Sequence, residues 1–222
     1  MGYKKLRSIR TIGDFTSDFY SIKVLENGHL ISGSSENELK VWNPIDGVCL
    51  KTLTFTDSIY CIQPLSGDRV AFELKNKIKI WNLNDDTCIQ TLEGHTGGID
   101  CIILLPDETL VSGSHDTTIK SWNLSKNRRI LTFRGHTEEV VALLLLKYGR
   151  FASGSRDNTI KIWTTDNGEC CKTLRGHTGP VNALVSTDTF DLISCSGDKS
   201  IKIWSVNSGE CIRSLLGHPD GV

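Results

Sequence analysis

The chain has 222 residues, and its 25 lysines and arginines nearly balance its 26 aspartates and glutamates, which leaves a formal net charge of −1 at pH 7. A chain this close to neutrality has no global field to concentrate it on nucleic acid or an anionic membrane, so its partners must be recognised locally. The longest apolar run covers residues 140–146, far fewer than the roughly 20 residues that a membrane-spanning helix needs, and we interpret it as a buried strand.

The first predicted element is an outer strand over residues 4–12, whose sequence KKLRSIRTI resembles CIRSL at residues 211–215. A regular period follows it. The five tryptophans stand at positions 42, 81, 122, 163 and 204, at intervals of 39, 41, 41 and 41 residues. Self-similarity at such a period predicts a repeat architecture in which each unit packs on its neighbours. Gly-His pairs recur in step with the tryptophans, at 94–95, 135–136, 176–177 and 217–218.

Each repeat has the pattern of four short strands separated by turns. In the fifth repeat, VNALVS, DLISCS, SIKIW and ECIRSLL are β-branched or alternating runs between polar, glycine-containing turns. A four-stranded sheet with two apolar faces cannot bury them alone, so it must stack on its neighbours, and radial stacking of twisted sheets gives a propeller. The predicted repeats cover residues 13–53, 54–93, 94–134, 135–175 and 176–216, and residues 217–222 begin another.

These repeats resemble the WD-repeat (WD40) β-propeller family. The resemblance is carried by Gly-His, by tryptophan 27 residues after that histidine, and by the motifs SGSxD and IKIW between them. It implies a single all-β domain over residues 1–222, with five four-stranded blades that belong to a larger, seven-bladed ring. A fragment of a longer protein, an open array and a closed five-bladed ring all stay open. The aspartate that the family carries after tryptophan is replaced here by Asn43, Asn82, Asn123, Thr164 and Ser205.

Three repeats carry histidine, serine, aspartate and tryptophan at the same spacing. A single set could be a hydrolase triad, in which histidine deprotonates a serine nucleophile and aspartate orients the histidine. Three identical copies disfavour that interpretation, because an enzyme needs one nucleophile in one pocket with an oxyanion hole. The resemblance instead implies a structural hydrogen-bonded network inside each blade. The sets are His95, Ser112, Asp116 and Trp122; His136, Ser153, Asp157 and Trp163; and His177, Ser194, Asp198 and Trp204.

The first two repeats have lost this set. We therefore expect residues 13–93 to be held mainly by apolar packing. Counting along the repeat places Phe15, Ser32, Glu36 and Trp42 at the four positions of the first repeat, and Phe55, Ala71, Lys75 and Trp81 at those of the second.

Six of the eight cysteines recur at repeat positions rather than in pairs. Residues on successive units lie about one unit apart, whereas a disulfide needs Cα atoms within about 7 Å of each other. We therefore predict small, buried, apolar thiols in a reducing compartment. The sequence shows no export or anchoring motif, so we expect a cytoplasmic or nuclear protein. We also expect no metal and no cofactor. Cys49, Cys88, Cys170 and Cys211 share one repeat position, and Cys61 and Cys101 share another.

The resemblance implies that partners dock on the face where the first strand of each blade begins and the turn after the second strand ends. The predicted function is a non-catalytic scaffold or adaptor for proteins or peptides, with self-association as a further expectation if the ring is open. Alternatives are a substrate-recognition subunit of a ubiquitin ligase or another complex and, more remotely, a Ser/His/Asp hydrolase; near-zero charge disfavours a nucleic-acid binder. The predicted partner-binding residues are Tyr20, Ser35, Tyr60, Asp100, His115, Glu139, Arg156 and Asn182.

Overall fold

A computed structural model describes residues 18–187 and 191–217. The predicted strand over residues 4–12, the position of Phe15 and most of the final predicted segment lie outside these ranges. Within them, every regular element is a β-strand, and there is no helix long and apolar enough to cross a membrane. The prediction of an all-β fold is confirmed.

The twenty strands form five antiparallel sheets, each built from four strands that are consecutive along the chain. We call these sheets blades 1 to 5, and the strands of each blade a to d in chain order. Strands a and b are β1 Phe19–Val24 and β2 Leu30–Ser34, β5 Ile62–Leu65 and β6 Arg69–Leu74, β9 Ile99–Leu104 and β10 Thr109–Ser114, β13 Val140–Leu146 and β14 Arg150–Ser155, and β17 Val181–Ser186 and β18 Asp191–Ser196.

Strands c and d complete each blade, and the four strands predicted for the fifth repeat are confirmed. Neighbouring strands pair as simple hairpins, so each blade is a meander in the order a-b-c-d. The remaining strands are β3 Glu38–Trp42 and β4 Cys49–Thr54, β7 Lys77–Asn82 and β8 Thr87–Leu92, β11 Ile119–Asn123 and β12 Arg128–Phe133, β15 Ile160–Thr164 and β16 Cys170–Leu174, and β19 Ser200–Ser205 and β20 Cys211–Leu216.

The hydrophobic core lies between the blades. Each of four buried clusters joins side chains of two consecutive blades, as with Ile31 of blade 1 and Val70 of blade 2, or Phe133 of blade 3 and Phe151 of blade 4. No cluster is contained in one sheet, because a single four-stranded sheet has no second layer to cover its faces. Stacking therefore supplies the burial that stabilises every blade.

Glycines in strand b set how closely the blades approach. A Cβ atom added to Gly113 or Gly154 would lie 2.8 Å from a side-chain carbon of Val140 or Val181, on the following blade. Such contacts are too short for any larger residue without movement of the neighbouring strand. Gly33 of blade 1 meets the same restriction.

The apolar run at residues 140–146 is a strand, as predicted, but it is not buried throughout. Val140 and Ala142 are buried, whereas Leu145 is 36% exposed. Alternate residues of a strand point to opposite faces, and the two faces of β13 are not covered equally.

The prediction that the recurring cysteines are buried is wrong for four of them, although Cys61 is buried as expected. All eight cysteines are free thiols. These four recurring residues lie at or next to the start of strand d, opposite the blade tryptophan, where no further strand of the same sheet covers them. They are Cys49, Cys88, Cys170 and Cys211.

Apolar side chains are exposed on the outward faces of the first and last blades. Ile22 and Val24 on β1 are 62% and 64% exposed, and Leu216 on β20 is 82% exposed. Exposed apolar side chains at the edge of a stack favour association with a further sheet. The expectation of self-association stays a prediction, which sedimentation would test.

Candidate functional site

In blade 3, the predicted set of four side chains forms one continuous chain of hydrogen bonds. The indole Nε1 of Trp122 lies 2.8 Å from the Ser112 Oγ, which lies 2.8 Å from His95 Nε2. His95 Nδ1 lies 2.8 Å from an Asp116 carboxylate oxygen. The network therefore links strands b and c to the loop before strand a and to the turn between b and c.

The same chain recurs in blades 4 and 5. Each indole donates to the serine hydroxyl at 2.8 Å, and each histidine bridges that hydroxyl and the aspartate at 2.7 Å on both sides. The members are His136, Ser153, Asp157 and Trp163 in blade 4, and His177, Ser194, Asp198 and Trp204 in blade 5.

The donors and acceptors fix the protonation state in blade 3. An ionised carboxylate only accepts hydrogen bonds, so Nδ1 of His95 donates to Asp116, and Nε2 accepts from Ser112. Burial lowers the pKa of His95, and the hydrogen bond with Asp116 only partly opposes this effect. Burial alone would raise the pKa of Asp116, but hydrogen bonds from Thr118, Thr96 and His95 outweigh it and lower that pKa to about 2. The ring is thus neutral and the carboxylate ionised at pH 7.

These serines are poorly placed for nucleophilic attack. Ser112 and Ser153 are 0% exposed and Ser194 is 1% exposed, and each oxygen already accepts from an indole N–H and contacts a histidine nitrogen. A hydrolytic serine must reach a substrate carbonyl beside an oxyanion hole. The arrangement suits a structural hydrogen-bond network that links neighbouring strands.

Acid should destabilise the protein in a defined pH range. The pKa of Asp116 is lowered from 3.8 to about 2, and those of Asp157 and Asp198 are lowered as well. Groups with a lowered native pKa contribute stability above their ordinary value, and that stability is lost as the pH falls toward the native pKa. We expect urea unfolding to show a fall of about 2 kcal/mol from Asp116 alone between about pH 4 and pH 2. Constant stability over this range would contradict the ionised networks.

Blade 1 keeps part of the network, so the prediction that it was lost needs correction. The Trp42 indole N–H donates to Ser32 Oγ at 2.9 Å, as in the complete networks. Serine and tryptophan are ten residues apart in all four blades that carry this bond. What changes in the first repeat is the histidine position, which Phe15 occupies in the sequence, and the acidic position, which Glu36 occupies.

In blade 2, the register corrects the residue assigned to the serine position. Counting back from Trp81 selects Ala71, but the serine position is the one that pairs with the residue two places after the strand-a bulge, as Ser112 pairs with Ile102, two places after Asp100. In blade 2 that partner is Ile62, and it pairs with Phe72. The count fails because the hairpin between β6 and β7 is one residue shorter. Phe72 stands nine residues before Trp81, whereas the serine stands ten residues before the tryptophan in the other four blades.

An aromatic cluster replaces the polar network in blade 2. The ring of Phe55 lies 4.8 Å from that of Phe72 and 5.2 Å from that of Trp81. Edge and tilted contacts of this kind stabilise aromatic clusters. The Trp81 indole nitrogen is buried and has no hydrogen-bond partner among the described residues, so the cluster gains packing but leaves one donor unsatisfied.

Blades 1 and 2 should open more readily than blades 3 to 5. Residues 18–93 hold no complete network, whereas the described residues between 94 and 216 hold three, each tying a loop and a turn to the sheet. Amide groups that open by local unfolding exchange faster where fewer interactions hold the backbone. We expect hydrogen exchange followed by mass spectrometry to show faster exchange for β1–β8 than for β9–β20. Uniform protection of all five blades would count against this role of the networks.

The predicted binding face is shaped by bulges at the start of strand a. The pairing with strand b shifts register at Tyr20, Asp100, Val141 and Asn182. A bulge re-aims the side chain of the extra residue. Asn182 is exposed, and so is Tyr60, which precedes the shorter β5 at the corresponding place.

Tyr20 and Tyr60 come together from two blades. Their ring centroids lie 4.6 Å apart with an interplanar angle of 31°, and the residues are 44% and 46% exposed. Ser35 lies beside them, because its hydroxyl accepts from the Asp18 backbone N–H at 3.2 Å and its carbonyl accepts from the Ser58 hydroxyl at 3.2 Å. The sequence prediction named three of these residues separately, and the structure brings them to one surface.

Asp100, His115, Glu139 and Arg156 form the charged part of the face. His115 Nε2 lies 2.9 Å from an Asp100 carboxylate oxygen. Burial raises the pKa of Asp100, while the charges of His115 and Arg156 oppose that rise and Glu139 adds to it. Arg156 is exposed, and its backbone N–H donates to the Glu139 carbonyl at 2.9 Å. The face therefore carries both signs of charge within a short distance.

Glu73 on β6 is a functional candidate that sequence reasoning missed. It is 3% exposed, and burial raises its pKa to about 8. One of its carboxylate oxygens has no hydrogen-bond partner within the described ranges. A charged residue inside the run RVAFEL was the available signal.

The opposite face has a cavity of about 890 Å³ between blades 3, 4 and 5. Its lining includes Leu105, Leu145, Tyr148, Arg150 and Val206. None of the eight predicted partner-binding residues lines it. Across the described part of the chain, no group of histidine, cysteine, aspartate or glutamate side chains is arranged to hold a metal ion.

A comparison with protein families finds a match. A family model described as WD domain, G-beta repeat matches residues 86–123, 127–164 and 168–205, which together make up more than half of the chain. Each matched segment contains one complete polar network, and each runs from strand d of one blade to strand c of the next. No curated protein matches the chain.

Proposed function

Because the chain belongs to the WD-repeat family, we propose that it is a non-catalytic scaffold or adaptor that binds protein or peptide partners on its bulge face. We define the bulge face by Tyr20, Ser35, Tyr60 and Asp100 together with His115, Glu139, Arg156 and Asn182. The exposed Tyr20–Tyr60 pair, with centroids 4.6 Å apart, supports this function most directly. Tyrosine and arginine contribute disproportionately to binding energy at protein interfaces.

The rigidity of the underlying blades supports the same proposal. The bulges that carry Tyr20, Asp100 and Asn182 are anchored in paired strands, so their side chains are held before a partner arrives. A preorganised surface loses little conformational entropy on binding. An interaction scaffold needs this property.

Binding should depend on the bulge face and not on the cavity face. We expect Tyr60→Ala and Arg156→Ala to reduce the recovery of bound partners by about tenfold, since each removes an exposed anchor. Tyr148→Ala is the matched control, because it removes an 80% exposed tyrosine that lines the cavity on the other face. Affinity purification with quantitative mass spectrometry measures all three variants.

Equal recovery with all three variants would refute the bulge face as the binding surface. A reduced recovery of partners with Tyr148→Ala alone would mean that partners bind the cavity face instead. Recovery of ubiquitin-ligase subunits among the captured proteins would support the finer role of substrate-recognition subunit.

A covalent probe separates the scaffold from the hydrolase alternative. Because Ser112, Ser153 and Ser194 are buried and hydrogen-bonded on both sides, a fluorophosphonate should label none of them in the folded protein. Labelling of any one at a rate above that of the unfolded chain would identify an activated nucleophile and support the enzyme instead.

A further inference from the structure

Glu73 occupies a place where three other blades have glycine. The residue of strand b that pairs with the third residue of strand a, directly after the bulge, is Gly33, Gly113 or Gly154 in blades 1, 3 and 4. In blade 2, the Glu73 backbone N–H donates to the carbonyl of Cys61, the corresponding strand-a residue. A carboxylate therefore stands at the boundary with the next blade, where the glycines of blades 1, 3 and 4 leave no room for a side chain.

The surroundings of Glu73 offer its charge little compensation. The Tyr60 backbone partly opposes the rise in the pKa of Glu73, but the oxygen Oε2 is buried without a partner among described residues. None of the ion pairs found in the described chain includes Glu73. Burial of such a group without a cation is unfavourable and raises its pKa, here to about 8.

The nearest charged neighbours make the site more acidic. Asp57, in the loop before β5, and Asp100, on β9 of the next blade, both raise the pKa of Glu73 by their negative charge. The nearby Cys61 thiol is neutral, because burial raises its pKa well above its ordinary value. Asp57 and Asp100 are only partly buried, so both are accessible to solvent. We call these three carboxylates the acidic niche.

We propose that the acidic niche binds a basic side chain of a partner peptide, a lysine ammonium or an arginine guanidinium, with Asp57 and Asp100 at the surface and Glu73 beneath them. This inference rests on the proposed scaffold function and names the chemistry that the bulge face recognises. A bound cation would supply the counter-charge that Glu73 lacks and would favour the ionised form of its carboxyl group.

The aromatic pair adjoins the niche. The Tyr60 backbone acts on the pKa of Glu73, and the Tyr60 ring packs on Tyr20. A cation that enters the niche from solvent passes beside these exposed rings, where cation–π attraction adds to the carboxylate contacts. The other charges of the face, His115 and Arg156, act on Asp100 and are not ion-paired to Glu73.

The test follows the Glu73 carboxyl carbon by ¹³C NMR in the whole chain, with Glu73→Gln to assign its signal. The probes are blocked Gly-Gly-Xaa-Gly-Gly peptides in which Xaa is arginine, lysine or norleucine. We expect the arginine and lysine peptides to lower the pKa of Glu73 by at least about one unit and to bind Glu73→Gln about tenfold more weakly. The norleucine peptide should do neither. Glu210→Gln, a change of an exposed glutamate far along the chain, should bind like the unmodified protein.

Two results would overturn the niche. In the first, the basic peptides bind the chain and Glu73→Gln equally and leave the Glu73 signal unchanged. In the second, neither basic peptide perturbs the Glu73 signal at any millimolar concentration. Neither result bears on the scaffold function, which the affinity purification with Tyr60→Ala tests. The two proposals can therefore fail independently of each other.

Discussion

Replacement of Asp157 by alanine should lower the free energy of unfolding by about 3 kcal/mol. One carboxylate oxygen of Asp157 lies 2.7 Å from His136 Nδ1 and 3.1 Å from the Thr137 backbone nitrogen. The other accepts from the Thr159 backbone N–H at 2.9 Å and from its hydroxyl at 2.6 Å. Alanine leaves these donors without a partner, and a buried donor that loses its acceptor is costly.

Asp166→Ala is the matched control for this prediction. Asp166 is exposed in the turn between β15 and β16 and accepts from the Thr165 hydroxyl at 3.1 Å. Surface changes of this kind alter stability by less than about 0.5 kcal/mol. Urea unfolding followed by tryptophan fluorescence measures both variants. Equal stability of the two variants would contradict a structural role for Asp157. So would an Asp157→Ala variant that keeps its stability but loses a measured hydrolytic activity.

Glu73→Gln should make the protein more stable, and the gain should grow with pH. The native pKa of Glu73 is about 8, against an ordinary value of 4.5. A raised native pKa contributes stability that is fully present below the ordinary value and is lost as the pH rises through the native value. The unmodified chain therefore loses stability between these two pH values, whereas glutamine has no proton to lose. At pH 7 the difference should reach about 3 kcal/mol.

The comparison of two pH values makes this prediction specific. At about pH 4, where the carboxyl is protonated both in the native and in the unfolded chain, Glu73→Gln and the unmodified protein should unfold at the same urea concentration. Glu210→Gln, which changes an exposed side chain, should show no growing difference. A Glu73→Gln variant that is less stable at pH 8 would mean that the carboxylate already has a counter-charge. A stabilising substitution that weakens binding of a cation would be a trade-off between stability and function.

Sequence reasoning predicted the blades and the three networks because both depend on spacing that repeats. The ten residues from serine to tryptophan follow one hairpin, so a hairpin of constant length brings Ser112 to Trp122 and Ser153 to Trp163 in the same way. The resemblance supplied the role of the histidine and aspartate. These interactions are local to one blade and do not depend on how the blades are arranged.

The same reasoning failed where the hairpin changes length. One residue fewer between β6 and β7 moves Phe72 into the position that counting gave to Ala71, and only the strand register shows it. It failed also for Cys49 and Cys88, because a pattern of residue types does not tell a covered strand from an outermost one. Glu73 was missed for a related reason, since its burial depends on the next blade and not on its own strand.

Nitrogen-15 NMR of the histidine rings is the most direct test of buried structural networks in blades 3 to 5. His95, His136 and His177 should each show a proton on Nδ1 and an Nε2 that accepts a hydrogen bond. His95 and His177, whose pKa values are lowered mainly by burial, should keep this form below the pH at which free imidazole titrates. Ring nitrogens that average between the two tautomers and titrate like free imidazole would show open, solvated histidines and would contradict the networks.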